Sequence, residues 1–93
     1  RLRELMSVKD QIHQRLMESL SAESVEIEDQ SHLHAGHAGA ASGGGHYDVI
    51  VISSAFNDLN TLGRHRLIYN AVDDLMKKEI HALSIQAFSP DEV

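Results

Sequence analysis

The sequence predicts a small mixed α/β (α+β) domain in the order helix, strand, strand, helix, strand, built on a three-stranded mixed sheet whose second strand is central. Three observations lead there. Two segments carry apolar residues at helical spacing, and three shorter ones carry strand patterns. The second helical segment joins two of those strands, and a crossover of that kind makes them parallel by the right-handed rule. At 93 residues there is no room for a second domain. Residues 7–92 are expected to form the single domain, with 1–6 a tail or an extension of the first helix.

The first helix is read over residues 7–20, SVKDQIHQRLMESL, where Val8, Ile12, Leu16 and Leu20 make one apolar stripe. Ser7 followed by Asp10 resembles a capping box with a shorter acid. His13 falls beside the stripe and reads as a solvated or edge histidine. Residues 24–29, SVEIED, alternate Val25 and Ile27 with acids, the pattern of a strand with one wet face. The composition then breaks. From Ser31 to Tyr47 there is no Lys, Arg, Asp or Glu, while five of the six glycines and four of the seven histidines lie there. Glycine-rich backbone loses much entropy on ordering and offers little to a core, so residues 31–46 read as a long functional loop.

Tyr47 to Ser54 is the second strand, and its continuous apolar run suits a central position. Residues 57–60 (NDLN) mark a turn, and Asn60 or Thr61 caps a helix running to residue 78 with Leu67, Ile68, Ala71, Val72, Leu75 and Met76 inward. Gly63 weakens its first turn by about 1 kcal/mol relative to alanine. Residues 80–88, IHALSIQAF, form the third strand, which Pro90 ends. A period of two places His81, Leu83, Ile85 and Ala87 on one face. Both helices are expected on one side of the sheet, leaving the other partly open unless a partner covers it.

Composition narrows the function. Eight Lys/Arg against fourteen Asp/Glu give a net charge of −6, the wrong sign for a surface that grips nucleic-acid phosphates throughout, although a local basic patch stays open. Absence of cysteine removes disulfides, thiolate nucleophiles and any metal centre built from this chain's own thiolates. The longest apolar run, Val49 to Ile52, is far too short to span a bilayer, so no membrane role is expected. There is no G-x-S-x-G, no phosphate-binding G-x-x-x-x-G-K-[ST], no H-E-x-x-H and no dinucleotide fingerprint, so no enzyme is expected.

The histidines carry the chemistry that remains. His32, His34 and His37 crowd the loop and His46 closes it; neutral imidazole suits zinc, copper, nickel or iron. His81 opens the strand expected beside the second one, so a loop imidazole can fold toward it. The competing reading of His81 is a buried histidine bonded to backbone. Arg64-His65-Arg66, on the first turns of a helix, can bind an anion through side chains and free N–H groups, or form a solvated face with local ion pairs. Gly36-His37-Ala38-Gly39 spells G-x-x-G but lacks a cation and lies between strands, so it is not read as an RNA clamp.

Taken together, Asp29-x-Ser31, His34-Ala35-Gly36-His37, His46-Tyr47, Ser53-x-x-Phe56, Arg64-His65-Arg66-Leu67-Ile68-Tyr69 and His81-Ala82-Leu83-Ser84-Ile85 resemble the BolA family over about residues 8–92. The resemblance implies a class II KH-like fold and partnership with a monothiol glutaredoxin around a shared [2Fe–2S] cluster, with iron–sulfur recipient proteins downstream and no cofactor when the chain is isolated. Carried over by position, it implies His34 and His81 as ligands, with His37 the alternative loop ligand. The glutaredoxin and its bound glutathione supply the thiolates, a division of donors like that of a Rieske centre. Arg64, His65 and Arg66 fall on the surface that the glutaredoxin or nucleic acid would meet. Family members have also been linked to transcriptional control, so a nucleic-acid-binding regulator is the alternative. One departure stands out: where the family usually has Phe-x-Gly, this chain has Phe56-Asn57-Asp58, placing Asp where the turn favours φ > 0.

Overall fold

Ser7 starts the first helix as its side chain accepts the Asp10 N–H at 3.1 Å, and Ser21 ends it in the left-handed region at φ 48°. A computed structural model describes residues 7–30, 45–77 and 80–93. Helix α1 spans Val8–Leu20 and buries Ile12, Leu16 and Leu20. Strand β1 (Ser24–Asp29) pairs antiparallel with β2 (Gly45–Ile52), which pairs parallel with β3 (Ile80–Phe88), giving the sheet order β1-β2-β3 with β2 in the centre. The expected mixed sheet is therefore what forms. Residues 1–6 and most of the predicted loop lie outside the described residues.

The second strand begins two residues earlier than its apolar run, at Gly45, and ends at Ile52. Just beyond it, Ser53 still donates its N–H to the Phe88 carbonyl of β3 at 3.0 Å, while its hydroxyl turns to other partners. It donates to the Leu20 carbonyl at 2.6 Å and accepts from the Ala55 N–H at 3.0 Å while fully buried, tying the end of α1 to a 3₁₀ turn at Ser54–Phe56. Phe56 fills the core beneath that turn, and Asp58 follows at φ 64°. The departure from Phe-x-Gly thus falls at a left-handed residue, where an aspartate is tolerated at a conformational cost.

The crossover departs from the single helix expected over 61–78. Helix α2 spans Thr61–Ala71, and a short helix α3 covers Asp73–Met76; Val72 between them takes φ −115°, ψ 22°. A β-branched residue followed by two aspartates suits a break, since the acids favour the N-terminus of the new helix. Arg15 of α1 fastens the break. Its guanidinium donates to both Asp74 carboxylate oxygens, at 2.5 and 2.7 Å, and reaches the Ala71 carbonyl at 3.5 Å. The turn lets Val72 and Leu75 both face inward, joining Ile12, Leu16, Val49, Val51, Phe56 and Ile68 in one core. Each such aliphatic side chain contributes about 1.5–3 kcal/mol by leaving water.

Candidate functional site

The site forms where β2 and β3 start. Gly45 pairs with Ile80, but His46 pairs with Ala82, so the register slips by one residue and His81 is the unpaired extra. This corrects the period-two expectation for that residue. Ile80, only 3 % exposed, takes the core position, Leu83 and Ile85 resume it, and His81 is turned out to solvent. An inserted residue of this kind re-aims a side chain that strict alternation would have buried. The competing reading of His81 as a buried, backbone-bonded histidine is thereby excluded.

Opposite it stands His46, half-buried, on the side of β2 away from the buried Tyr47. The His46 and His81 rings have centroids 5.1 Å apart with planes inclined by 42°. His46 is held from the other side too, because its carbonyl accepts the Gln30 N–H of the β1 end at 2.7 Å. Gly45 is needed for this packing. A Cβ there would fall 2.5 Å from Cε2 of Tyr47, whose ring is buried against it, so any larger residue would push on the strand that carries His46.

The loop ligands expected from sequence, His34 and its competitor His37, lie outside the described residues, as does His32. Residues 30 and 45, which flank that stretch, both sit beside His46, so the chain leaves and rejoins the sheet at the histidine pair. Among the described residues no three His, Cys, Asp or Glu side chains converge on one point. The sequence marks His46 as the residue closing the loop and as part of the His46-Tyr47 motif, not as a ligand. Its adjacency to His81 followed from the parallel pairing of strands two and three, but the register slip had no signal in the sequence.

The arginine cluster has a different fate. Arg64 donates through Nε to the Leu59 carbonyl at 2.9 Å and through Nη1 to the Ala87 carbonyl at 3.1 Å and the Glu92 carboxylate at 2.6 Å. Glu92 also accepts the Ser89 N–H at 2.7 Å. The Arg64 hydrogen bond, aided by the Ser89 N–H, holds the Glu92 carboxyl down at about 2. The Gly63 N–H, one of the free donors an anion would use, is capped by Asn60 at 2.8 Å. Arg64 itself is thus engaged in local ion pairing within the fold. Arg66 remains exposed and His65 half-buried, while His13 on α1 is solvated as expected.

Comparison with known proteins gives one consistent answer. The family model for BolA-like proteins matches residues 16–92. The chain is 30% identical over 87 residues to "DNA-binding transcriptional regulator BolA" of Haemophilus influenzae, covering 94% of this chain and 82% of that protein. It is 39% identical over 87 residues to "SufE-like protein 1, chloroplastic/mitochondrial" of Arabidopsis thaliana, covering 88% of this chain but only 24% of that longer protein. Among solved structures, the BolA domain of SufE1 from Arabidopsis thaliana superimposes with a TM-score of 0.82 at 38% identity, covering 95% of this chain and 98% of that one.

Proposed function

This chain belongs to the BolA family, and from that premise we propose that it is a non-enzymatic adaptor that partners a monothiol glutaredoxin and contributes histidine ligands to a shared [2Fe–2S] cluster. His81 is one donor and His34, the residue that the family resemblance assigns, is the other; His37 is the alternative loop ligand. The observation that carries this reading is the outward turn of His81 beside His46, at the place where the histidine-rich segment leaves and rejoins the sheet.

The donor set fits the group. Iron of a [2Fe–2S] centre accepts two imidazoles where the second iron has two sulfur ligands, and a chain with no cysteine must take those sulfurs from elsewhere. Two imidazoles on one tetrahedral ion place their ring centroids about 5 Å apart, given metal–nitrogen distances of about 2.0–2.1 Å. His46 and His81 stand at 5.1 Å, a spacing compatible with such a pair, and His46 walls one side of the His81 ring. The chain's own part is to present nitrogen at a solvent-facing position that a companion protein can reach. Neutral imidazoles in place of thiolates leave the cluster less negative and raise its reduction potential.

The test is reconstitution. Mixing the chain with a monothiol glutaredoxin, glutathione, iron and sulfide should give visible absorption and circular dichroism distinct from those of the glutaredoxin alone. His81→Ala should abolish the difference and His34→Ala should do the same. If His34→Ala keeps the mixed spectrum and His46→Ala loses it, the second donor is His46. A mixed spectrum untouched by His81→Ala overturns the proposal.

The name of the Haemophilus influenzae relative makes nucleic-acid binding the second reading. Against it stand strands that carry no Lys or Arg and an Arg64 committed within the fold. Salt-sensitive DNA binding lost in Arg66→Ala would favour that reading over the adaptor.

A further inference from the structure

The helices cover one face of the sheet. The other presents Glu26 and Glu28 from β1, Asp48 and Ile50 from β2, and Ser84 and Gln86 from β3. All are exposed except Ile50, which is half-buried and lines, with Glu26, Ile27, Glu28, Asp48 and Gln86, a concavity of about 200 Å³. The pairing arranges them in two adjacent rows, Glu28–Asp48–Ser84 and Glu26–Ile50–Gln86. Three carboxylates therefore surround one apolar side chain.

Nothing described in this chain neutralises them. The three strands contain no lysine or arginine, and the described ion pairs, Arg15–Asp74, Arg64–Glu92 and Lys77–Asp73, all lie elsewhere. The Gln30 amide donates to Glu28 and Asp48 but brings no charge. Residues 31–44 hold no lysine or arginine either, so that segment supplies no permanently charged cation. Sheets that face water usually place lysine on their edge strands to prevent pairing, and here both edge strands lack it. A second copy of the same face would bring like charges together, which costs free energy rather than holding a dimer.

We propose that this face docks a protein partner through a segment that sets lysine or arginine beside an apolar side chain, the cations over Glu26, Glu28 and Asp48 and the apolar group over Ile50. His46 lies on the same side of β2, two residues from Asp48, so a partner seated here borders the histidine pair. The docking does not depend on the cluster reading. It stands or falls on charge and shape alone.

The test uses the full chain, labelled with nitrogen-15 and titrated with a synthetic peptide alternating lysine and valine. Amide shifts are expected to centre on residues 26–28, 48–50 and 84–86 and to weaken with salt. The triple variant E26Q/E28Q/D48N should bind about tenfold more weakly. The control E18Q/D73N/D91N, with the same change in net charge on the helices and the C-terminal turn, should keep the wild-type affinity. Gln86→Lys, which adds a cation without removing a side chain, should weaken binding as the first triple variant does and covers the case in which that variant fails to fold. Shifts spread over the whole acidic surface, equal losses in both triple variants, or no binding would overturn the proposal. Concentration-dependent shifts at the same amides before peptide is added would overturn it in favour of a second copy.

Discussion

Two features that the sequence singles out, His81 at the start of β3 and the arginine cluster at the start of α2, end in opposite conditions. At β3 the register slip turns His81 outward, next to His46 and within reach of another molecule. At α2 the Arg64 guanidinium is taken up by two carbonyls and Glu92, and its side chain is 14% exposed. Both look like sites when read as letters. A side chain tied to two backbone carbonyls and a carboxylate holds structure together, whereas one that the fold lifts out of its core register is open to molecules outside.

Paired substitutions sharpen that contrast, and the largest effect is expected at Arg64. Arg64→Ala leaves the Leu59 and Ala87 carbonyls without their donor and should cost about 2–3 kcal/mol in chemical denaturation. His81→Ala, at an exposed position, should change stability by less than about 0.5 kcal/mol. Equal losses from the two would erase the distinction. Next comes Gly45→Ala, which drives a Cβ against the Tyr47 ring and should cost about 1–3 kcal/mol. It should also broaden or shift the His46 and His81 ring resonances, whereas loss of stability without any change at those rings would show that Gly45 does not position them.

Asp58→Gly should add about 0.5–1 kcal/mol, because glycine removes the left-handed penalty at φ 64° while giving back part of it as unfolded-chain entropy. The smallest effect is confined to acid. Glu92 has a folded pKa lowered from 4.5 to about 2, so its contribution is present above the unfolded value and is lost as pH falls toward the folded one. Glu92→Gln should therefore flatten the decline in stability between pH 4.5 and about 2, and an unchanged slope would mean that the Arg64 contact does not persist in solution.

Much of this molecule is legible in its letters. The Ile12-Leu16-Leu20 stripe, the alternation around Val25 and Ile27 and the crossover length give the element order and the central place of β2, because helical and strand periods and the handedness of crossovers leave few alternatives. What the letters hide is tertiary. Arg15 arrives from α1 to fasten the break at Val72, and the place of His81 depends on a one-residue slip against β2. Arg64 reads either as an anion ligand or as one half of a local ion pair, and the choice follows from the C-terminal turn that brings Glu92 back across it. Loop composition singles out His34 and His37 and family resemblance favours His34, but both lie outside the described residues.

Nitrogen ligation itself is the quantity to measure. With the chain labelled at histidine by nitrogen-15 and a reduced cluster assembled with unlabelled glutaredoxin and glutathione, hyperfine spectroscopy should detect two strongly coupled labelled nitrogens on iron, one of them missing in His81→Ala. A reduced mixed cluster with no labelled nitrogen coupling would mean that this chain ligates no iron and would contradict the account.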